Sequence, residues 1–279
     1  MPELPEVETI KNALKKAVDK SNIIEVRINN NRFREIIPDD FAQKVTGARI
    51  TDIRRVAKYV LVDLDNGYSI IWHFGMSGRV KIMGDRLENP EKHDHVIIKT
   101  TKGILVFNDA RRFGIMTCWP TTDLKNHHLF KKTGIDPFAD ELDGLYLFNK
   151  LKNKKIPIKT ALLDQSIING IGNIYASEAL YESGILPTRN ACELSEKECF
   201  RLLEGIRKVL EKAIQAGGST IHDYRRPNGS MGYFQNMHCV YNKTGQKCPD
   251  CICNINQTGG IKKIVQAGRS TFYCPVKQK

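Results

Sequence analysis

The residues best placed to do chemistry stand at the start of the chain, in Met1-Pro2-Glu3-Leu4-Pro5-Glu6-Val7-Glu8. With Met1 removed, the chain would begin at the secondary amine of Pro2. An α-amino group titrates near 7.7–8.0, against about 10.4 for lysine, so at pH 7 roughly a tenth of it is neutral. A neutral secondary amine attacks a carbon bearing a leaving group and yields an iminium, an electron sink. Glu3, Glu6 and Glu8 set carboxylates nearby, and Glu3 is one residue away, where a general acid is useful. Val7, Ile10, Leu14 and Val18 recur at helical spacing and predict a helix that would hold this cluster. The same spacing is also what a plain helix start shows, since first-turn acids favour the helix dipole and proline suits the first position.

The composition narrows the partners. The 279 residues carry 43 Lys+Arg against 31 Asp+Glu, a formal charge of +12, which points to a polyanion, nucleic acid before membrane. The length allows two modest domains with ample core. The longest apolar runs fall short of membrane-spanning length, and the acidic, proline-broken N-terminus is unlike a signal peptide. Eight cysteines, four of them within Cys248–Cys274, fit a reduced, cytoplasmic setting with a metal site better than disulfides.

Short strand-like segments follow the first helix. Val56–Leu64 and Tyr68–Phe74 flank Asp65-Asn66-Gly67, a hairpin signal. Val96–Thr100 and Ile104–Asn108 flank a second turn, Thr101-Lys102-Gly103. This antiparallel β-rich part, residues 1–134, ends near Gly134, and 135–149, with Asp136-Pro137 and a polar stretch to Asp143-Gly144, reads as a linker. Two of its loops attract notice. Phe74-Gly75-Met76-Ser77-Gly78 would expose Met76 on a turn, and Asn108-Asp109-Ala110-Arg111-Arg112-Phe113-Gly114 sets two guanidinium groups beside a ring. Arginine suits phosphates and base edges, and an apolar ring can wedge between bases.

Residues 150–234 change in character. Lys150, Lys152, Lys154, Lys155 and Lys159 form a basic run that reads as a solvated face opening a helical region. Ile158 to Leu163 is predicted helical, Gln165 to Gly172 a turn, and a helix starts at Asn173, a good N-cap whose free amides suit phosphate. Ser195-Glu196-Lys197-Glu198 is a capping box for the next helix, which closes at Gly217-Gly218. The polar, glycine-containing 218–234 reads as a loop that covers a ligand. In 235–279, Cys248 and Cys251 make a CxxC, half of a zinc ribbon, and Cys274 follows. The partner position holds Lys277, whose ammonium cannot ligate. Cys253, His238 or Cys239 could supply a fourth ligand, Cys253 being the best placed in sequence, and a metal-free hairpin stands equally open.

Across nearly its whole length the chain resembles the bacterial formamidopyrimidine-DNA glycosylase family. The resemblance rests on the MPELPEVET start, on Arg55-Val56-Ala57-Lys58-Tyr59, His73-Phe74-Gly75-Met76-Ser77-Gly78, Lys92-His93-Asp94-His95 and Arg111-Arg112-Phe113-Gly114. It extends through the stretch from Asn169 to Glu178, Gly217–Thr220, Gly232–Phe234 and Gln266–Cys274. Three departures stand out: Ala110 where proline is usual, the Val240–Lys243 segment, and the missing fourth cysteine of a lengthened finger.

The resemblance implies an α+β architecture: an antiparallel β-sandwich with flanking helices, a helix-two-turn-helix domain and a C-terminal zinc-finger-like β-hairpin, with DNA between domains. It implies a bifunctional DNA glycosylase/AP lyase of base excision repair that removes oxidised purines and then carries out β,δ-elimination. Pro2 would be the Schiff-base nucleophile at C1′ and Glu3 the general acid, with Glu6 in support. Lys58 would aid β-elimination and Arg269 δ-elimination. Met76, Arg111 and Phe113 would fill the gap left by the extruded base. His93, Arg111, Arg112, Lys155 and Asn173 would bind DNA. Cys248, Cys251 and Cys274, with Cys253 as the fourth candidate, would hold a structural zinc, and catalysis would need no cofactor. The partner would be double-stranded DNA with oxidised bases or abasic sites, met by a monomer in the cytoplasm, at the nucleoid. The alternatives are an endonuclease VIII-like enzyme for oxidised pyrimidines, disfavoured by Leu4–Glu8, and a non-catalytic DNA-binding protein, disfavoured by Pro2 and Glu3.

Overall fold

Helix α1 (Leu4–Val18) forms where the apolar periodicity places it, and Val7, Ile10, Leu14 and Val18 are all buried. In this computed structural model the described residues are 1–86, 91–220, 227, 229–252 and 254–279. Contacts divide them into two units, Met1–Lys131 with Ala216–Gln235, and Lys132–Gln215 with Asn236–Lys279.

The first unit holds β1 (Ile23–Ile28), α2 (Phe41–Val45), β2 (Ile50–Val56), β3 (Tyr59–Leu64), β4 (Tyr68–His73), β5 (Arg79–Met83), β6 (Asp94–Thr100), β7 (Gly103–Asn108) and β8 (Ile115–Pro120). They form two antiparallel four-stranded sheets, ordered β2-β3-β4-β8 and β1-β6-β7-β5. Alternation drives this packing: Val60, Val62, Ile70 and Trp72 from one sheet and Val96, Ile98, Leu105 and Phe107 from the other join one apolar core with α1. The hairpin turns at 65–67 and 101–102 lie where the sequence signals them. The Val56–Leu64 stretch, however, is two strands. Ala57 adopts a left-handed φ of 53°, and β2 and β3 pair Val56 with Tyr59 across a two-residue turn, so Lys58 sits on a turn rather than within a strand.

The second unit holds α3 (Gly144–Leu151), α4 (Ile158–Leu162), α5 (Asn173–Glu182), α6 (Glu196–Gln215), and the hairpin β9 (Lys262–Gln266) with β10 (Arg269–Tyr273). Helix α3 lies inside the segment that reads as linker. Asp143 caps it through a bond from Tyr146 N, and Leu147 and Leu151 bury the inner face. Ser195 and Glu198 make the expected capping box at α6. Among the described residues no helix is long and apolar enough to cross a membrane.

Candidate active site and nucleic-acid interface

The start of α1 is a tightly bonded corner. Pro2, Glu3 and Glu6 are buried while Met1 is exposed. Glu3 and Glu6 form a reciprocal capping box, with Glu3 N donating to Glu6 Oε2 at 2.8 Å. The other Glu6 oxygen, Oε1, accepts from Ser219 N at 2.7 Å. Glu6 therefore braces α1 against the segment that opens the 218–234 loop. Gly218 is needed there: its φ is +79°, and a Cβ would meet Glu6 Cγ and Oε1 at 2.9 Å. Most of that loop's middle, 221–226 and 228, lies outside the described residues.

Lys58 is brought toward the same corner by a brace that the sequence does not advertise. Arg55 Nε donates to Glu8 Oε2 at 2.8 Å, and its Nη1 donates to Ala57 O at 3.2 Å. One guanidinium thus ties the Ala57-Lys58 turn to α1. Lys58, Arg34 and the N-terminal amine all act electrostatically on His73, a residue whose part in the site residue type alone does not reveal. Burial first, and then these three cations, push the His73 imidazole down to about 4. Its Nδ1 accepts from Gly75 N at 3.1 Å, so the neutral ring carries its proton on Nε2.

This shift has a measurable consequence. Between pH 6.5 and 4 the unfolded chain takes up a proton at His73 that the folded chain refuses, so folding stability falls as the pH drops through that window. The full effect is about 3 kcal/mol. Denaturant unfolding at pH 7 and pH 4 should show this loss in the wild type and a smaller one in His73→Asn, whose amide keeps an acceptor for Gly75. Identical pH dependence of the two proteins would exclude His73 as its source.

Met76 and Phe113 are about half exposed, and the Arg111 guanidinium lies 4.7 Å over the Phe113 ring. The loops that carry them interlock, since a Cβ on Gly75 would fall 2.4 Å from Phe113 C and O. Arg112 is exposed and takes a left-handed φ of 56°. His93 borders the loop, its carbonyl accepting from Asp109 N at 3.1 Å.

In the second unit, Asn173 is the first residue of α5 and Gly172 is the N-cap. The Asn173 side chain is engaged elsewhere. Its Oδ1 accepts from Lys159 Nζ at 2.6 Å, and its Nδ2 donates to Ser270 O at 2.9 Å, next to Arg269. Lys159 is fully buried, not a member of a solvated face. Its ammonium also donates to Ser270 O and Thr271 Oγ1, which offsets the cost of removing a charge from water. Arg269 is exposed at the tip of the hairpin beside Ala267-Gly268, and Lys155 is exposed in the loop before α4.

Cys248, Cys251 and Cys274 converge with their Sγ atoms all within 4.8 Å of one another. Cys248 and Cys274 are 3.3 Å apart, Cys274 and Cys251 3.8 Å. Thiolates on one tetrahedral zinc lie about 3.8 Å apart, given Zn–S near 2.3 Å, so three corners of a metal site fit. Lys277 meets the cluster through its backbone, its N–H donating to Cys274 Sγ at 3.5 Å, while its ammonium lies 4.0 Å over the Tyr181 ring and 3.6 Å from Asp250. His238 and Cys239 do not join the cluster among the described residues, and Cys253 lies outside those residues. Of the apolar residues in and beside the hairpin, Ile261 and Phe272 are buried with Tyr181 and Val240, Ile264 is half-buried, and Ile252 and Val265 are exposed.

Family models for the formamidopyrimidine-DNA glycosylase N-terminal domain and H2TH domain match residues 1–116 and 133–225. The chain belongs to the formamidopyrimidine-DNA glycosylase family. It is 43% identical over 289 residues to the formamidopyrimidine-DNA glycosylase of a Jannaschia species, with all of both chains covered. Among solved structures it is similar to Lactococcus lactis Fpg in complex with DNA containing an abasic site, at 34% identity, TM-score 0.89 and 99% coverage of each chain. A second complex of that protein, with DNA containing an oxidised pyrimidine, matches at 34% identity, TM-score 0.88 and full coverage of both chains.

Proposed function

We propose that the chain is a bifunctional DNA glycosylase/AP lyase of base excision repair that removes oxidised purines from double-stranded DNA. The observation that carries this reading is the corner at α1, where Pro2 is buried beside the Glu3–Glu6 box and the Arg55 brace ties the Ala57-Lys58 turn to the same helix. Pro2 attacks C1′ of the damaged nucleotide, the base leaves, and Glu3 supplies the proton that opens the sugar. Glu6 assists the later proton transfers, and Lys58 and Arg269 contact phosphates near the lesion while promoting β-elimination and δ-elimination respectively. The sugar carbon is out of reach in a stacked duplex, so the nucleotide must be flipped. Met76, Arg111 and Phe113 fill the vacancy, while His93, Arg112, Lys155 and Asn173 hold backbone phosphates. The enzyme works as a monomer on cytoplasmic, nucleoid DNA.

Borohydride trapping tests the reading. An 8-oxoguanine duplex should yield a covalent protein–DNA adduct and strand products of both eliminations. The Lactococcus lactis Fpg complex with an oxidised pyrimidine favours testing that class alongside; faster trapping on the pyrimidine duplex would assign the chain to the pyrimidine branch. Absence of any adduct would make it a DNA-binding protein only.

Zinc is the metal that three clustered thiolates favour, with a structural role and Cys253 as the fourth ligand. Elemental analysis of protein purified without chelator should find about one zinc per chain, lost on Cys274→Ser. Stoichiometric zinc that persists in Cys253→Ser would remove Cys253 from the ligand set.

A further inference from the structure

Beneath the exposed Met76, Arg111 and Phe113 lies a hydrogen-bonded knot that the proposed chemistry does not use. Asp109 is fully buried. Its Oδ1 accepts from Ser77 Oγ at 2.5 Å and from Arg111 N at 3.3 Å, and its Oδ2 accepts from Gly114 N at 2.8 Å. The Ser77 hydroxyl also accepts from Arg111 N at 3.1 Å. It is therefore shared by both loops: it belongs to the loop of Met76, donates to the carboxylate that closes the other loop, and receives the amide of Arg111 itself. The main chain of Asp109 is fixed in turn, its N–H donating to His93 O at 3.1 Å and its carbonyl meeting His95 Nε2 at 3.0 Å. A carboxylate held by backbone and hydroxyl donors makes short, directional bonds. The Ser77 hydroxyl is the one side-chain group in this knot that belongs to the Met76 loop.

We propose that Ser77 is a positioning residue for base extrusion: through Asp109 it latches the Met76 loop to the Arg111–Phe113 loop and fixes the spacing of the three side chains that enter the duplex. The proposal rests on the gap-filling reading of those side chains. Opening a stacked base pair costs a few kcal/mol, and a wedge delivers that energy only if its parts arrive in one geometry. Loss of the latch removes the hydroxyl bridge between the Met76 and Arg111 loops and leaves them held by backbone packing at Gly75, which loosens their spacing, while the Pro2 corner keeps its own bonds. Extrusion should slow, and the lyase steps should not.

Ser77→Ala, Ser77→Thr and Arg111→Ala are compared with the wild type in single-turnover reactions on an 8-oxoguanine duplex and on a duplex with a pre-formed abasic site. A 2-aminopurine beside the lesion reports unstacking. Ser77→Ala should slow excision and the fluorescence rise on the lesion duplex on the order of tenfold, the effect of one or two lost hydrogen bonds. Abasic-site cleavage should be unchanged, and Ser77→Thr, which retains the hydroxyl, should restore the rate. If Arg111→Ala slows only the lesion duplex while Ser77→Ala matches the wild type or slows both substrates equally, the latch is wrong and the gap-filling reading stands. Selective slowing in Ser77→Ala without rescue by threonine would assign the effect to loop shape and overturn the role of the hydroxyl. If Arg111→Ala slows both duplexes equally, the gap-filling reading fails and the latch falls with it.

Discussion

Protein that retains Met1 should form no borohydride-stable adduct with an abasic or 8-oxoguanine duplex, and its strand-cleavage rate should fall on the order of a thousandfold or more, as on loss of a nucleophile. With Met1 attached, the Pro2 nitrogen is a planar amide whose lone pair is delocalised into the carbonyl. The only remaining α-amine is then that of Met1, which is exposed, whereas Pro2 is buried in the corner with Glu3 and Glu6. The experiment compares protein made with and without inhibition of methionine removal, each verified by intact mass. Lys58→Ala, with Met1 removed, serves as the control and should still give the adduct. Full trapping with Met1 in place would sink the assignment of Pro2 as nucleophile.

What the sequence revealed and what it hid divide along physical lines. Helix α1 and the hairpins at 65–67 and 101–102 were legible because their signals are local: a 3.6-residue apolar period, and turn residues between alternating strands. The break at Ala57-Lys58 was not, since alanine carries no mark of a left-handed conformation; Arg55 and Glu8, far apart in sequence, help to hold it. Lys159 read as a solvated charge because its acceptors, Asn173, Ser270 and Thr271, come from α5 and β10. The same bonds divert Asn173 from the capping role its residue type suggests. Helix α3 was masked by the polar residues before it, although Leu147 and Leu151 have the spacing of a buried face. In the finger the cysteines and the hairpin were readable; which apolar residues pack is decided by Tyr181 and Val240, supplied from outside the hairpin. Local chemistry could be read, and long-range bonding could not.

DNA binding should weaken about 150-fold between 50 and 200 mM monovalent salt. Four of the proposed phosphate contacts carry a cation, namely Lys58, Arg112, Lys155 and Arg269. Each releases about 0.9 counterions from duplex DNA, so the log–log slope should be about −3.6. Asn173, proposed for the same interface, is neutral, and its amide is already committed to Ser270 O beside Arg269. Its contribution is to place the hairpin and one phosphate, not to displace an ion. The two kinds of contact therefore separate experimentally. Lys155→Ala should reduce the slope by about one and leave the thermal midpoint unchanged, because Lys155 is exposed. Asn173→Ala should lower affinity at every salt concentration with the slope intact. An affinity that is flat between the two salt conditions would refute a phosphate-dominated interface. A slope unchanged in Lys155→Ala would take that lysine out of it.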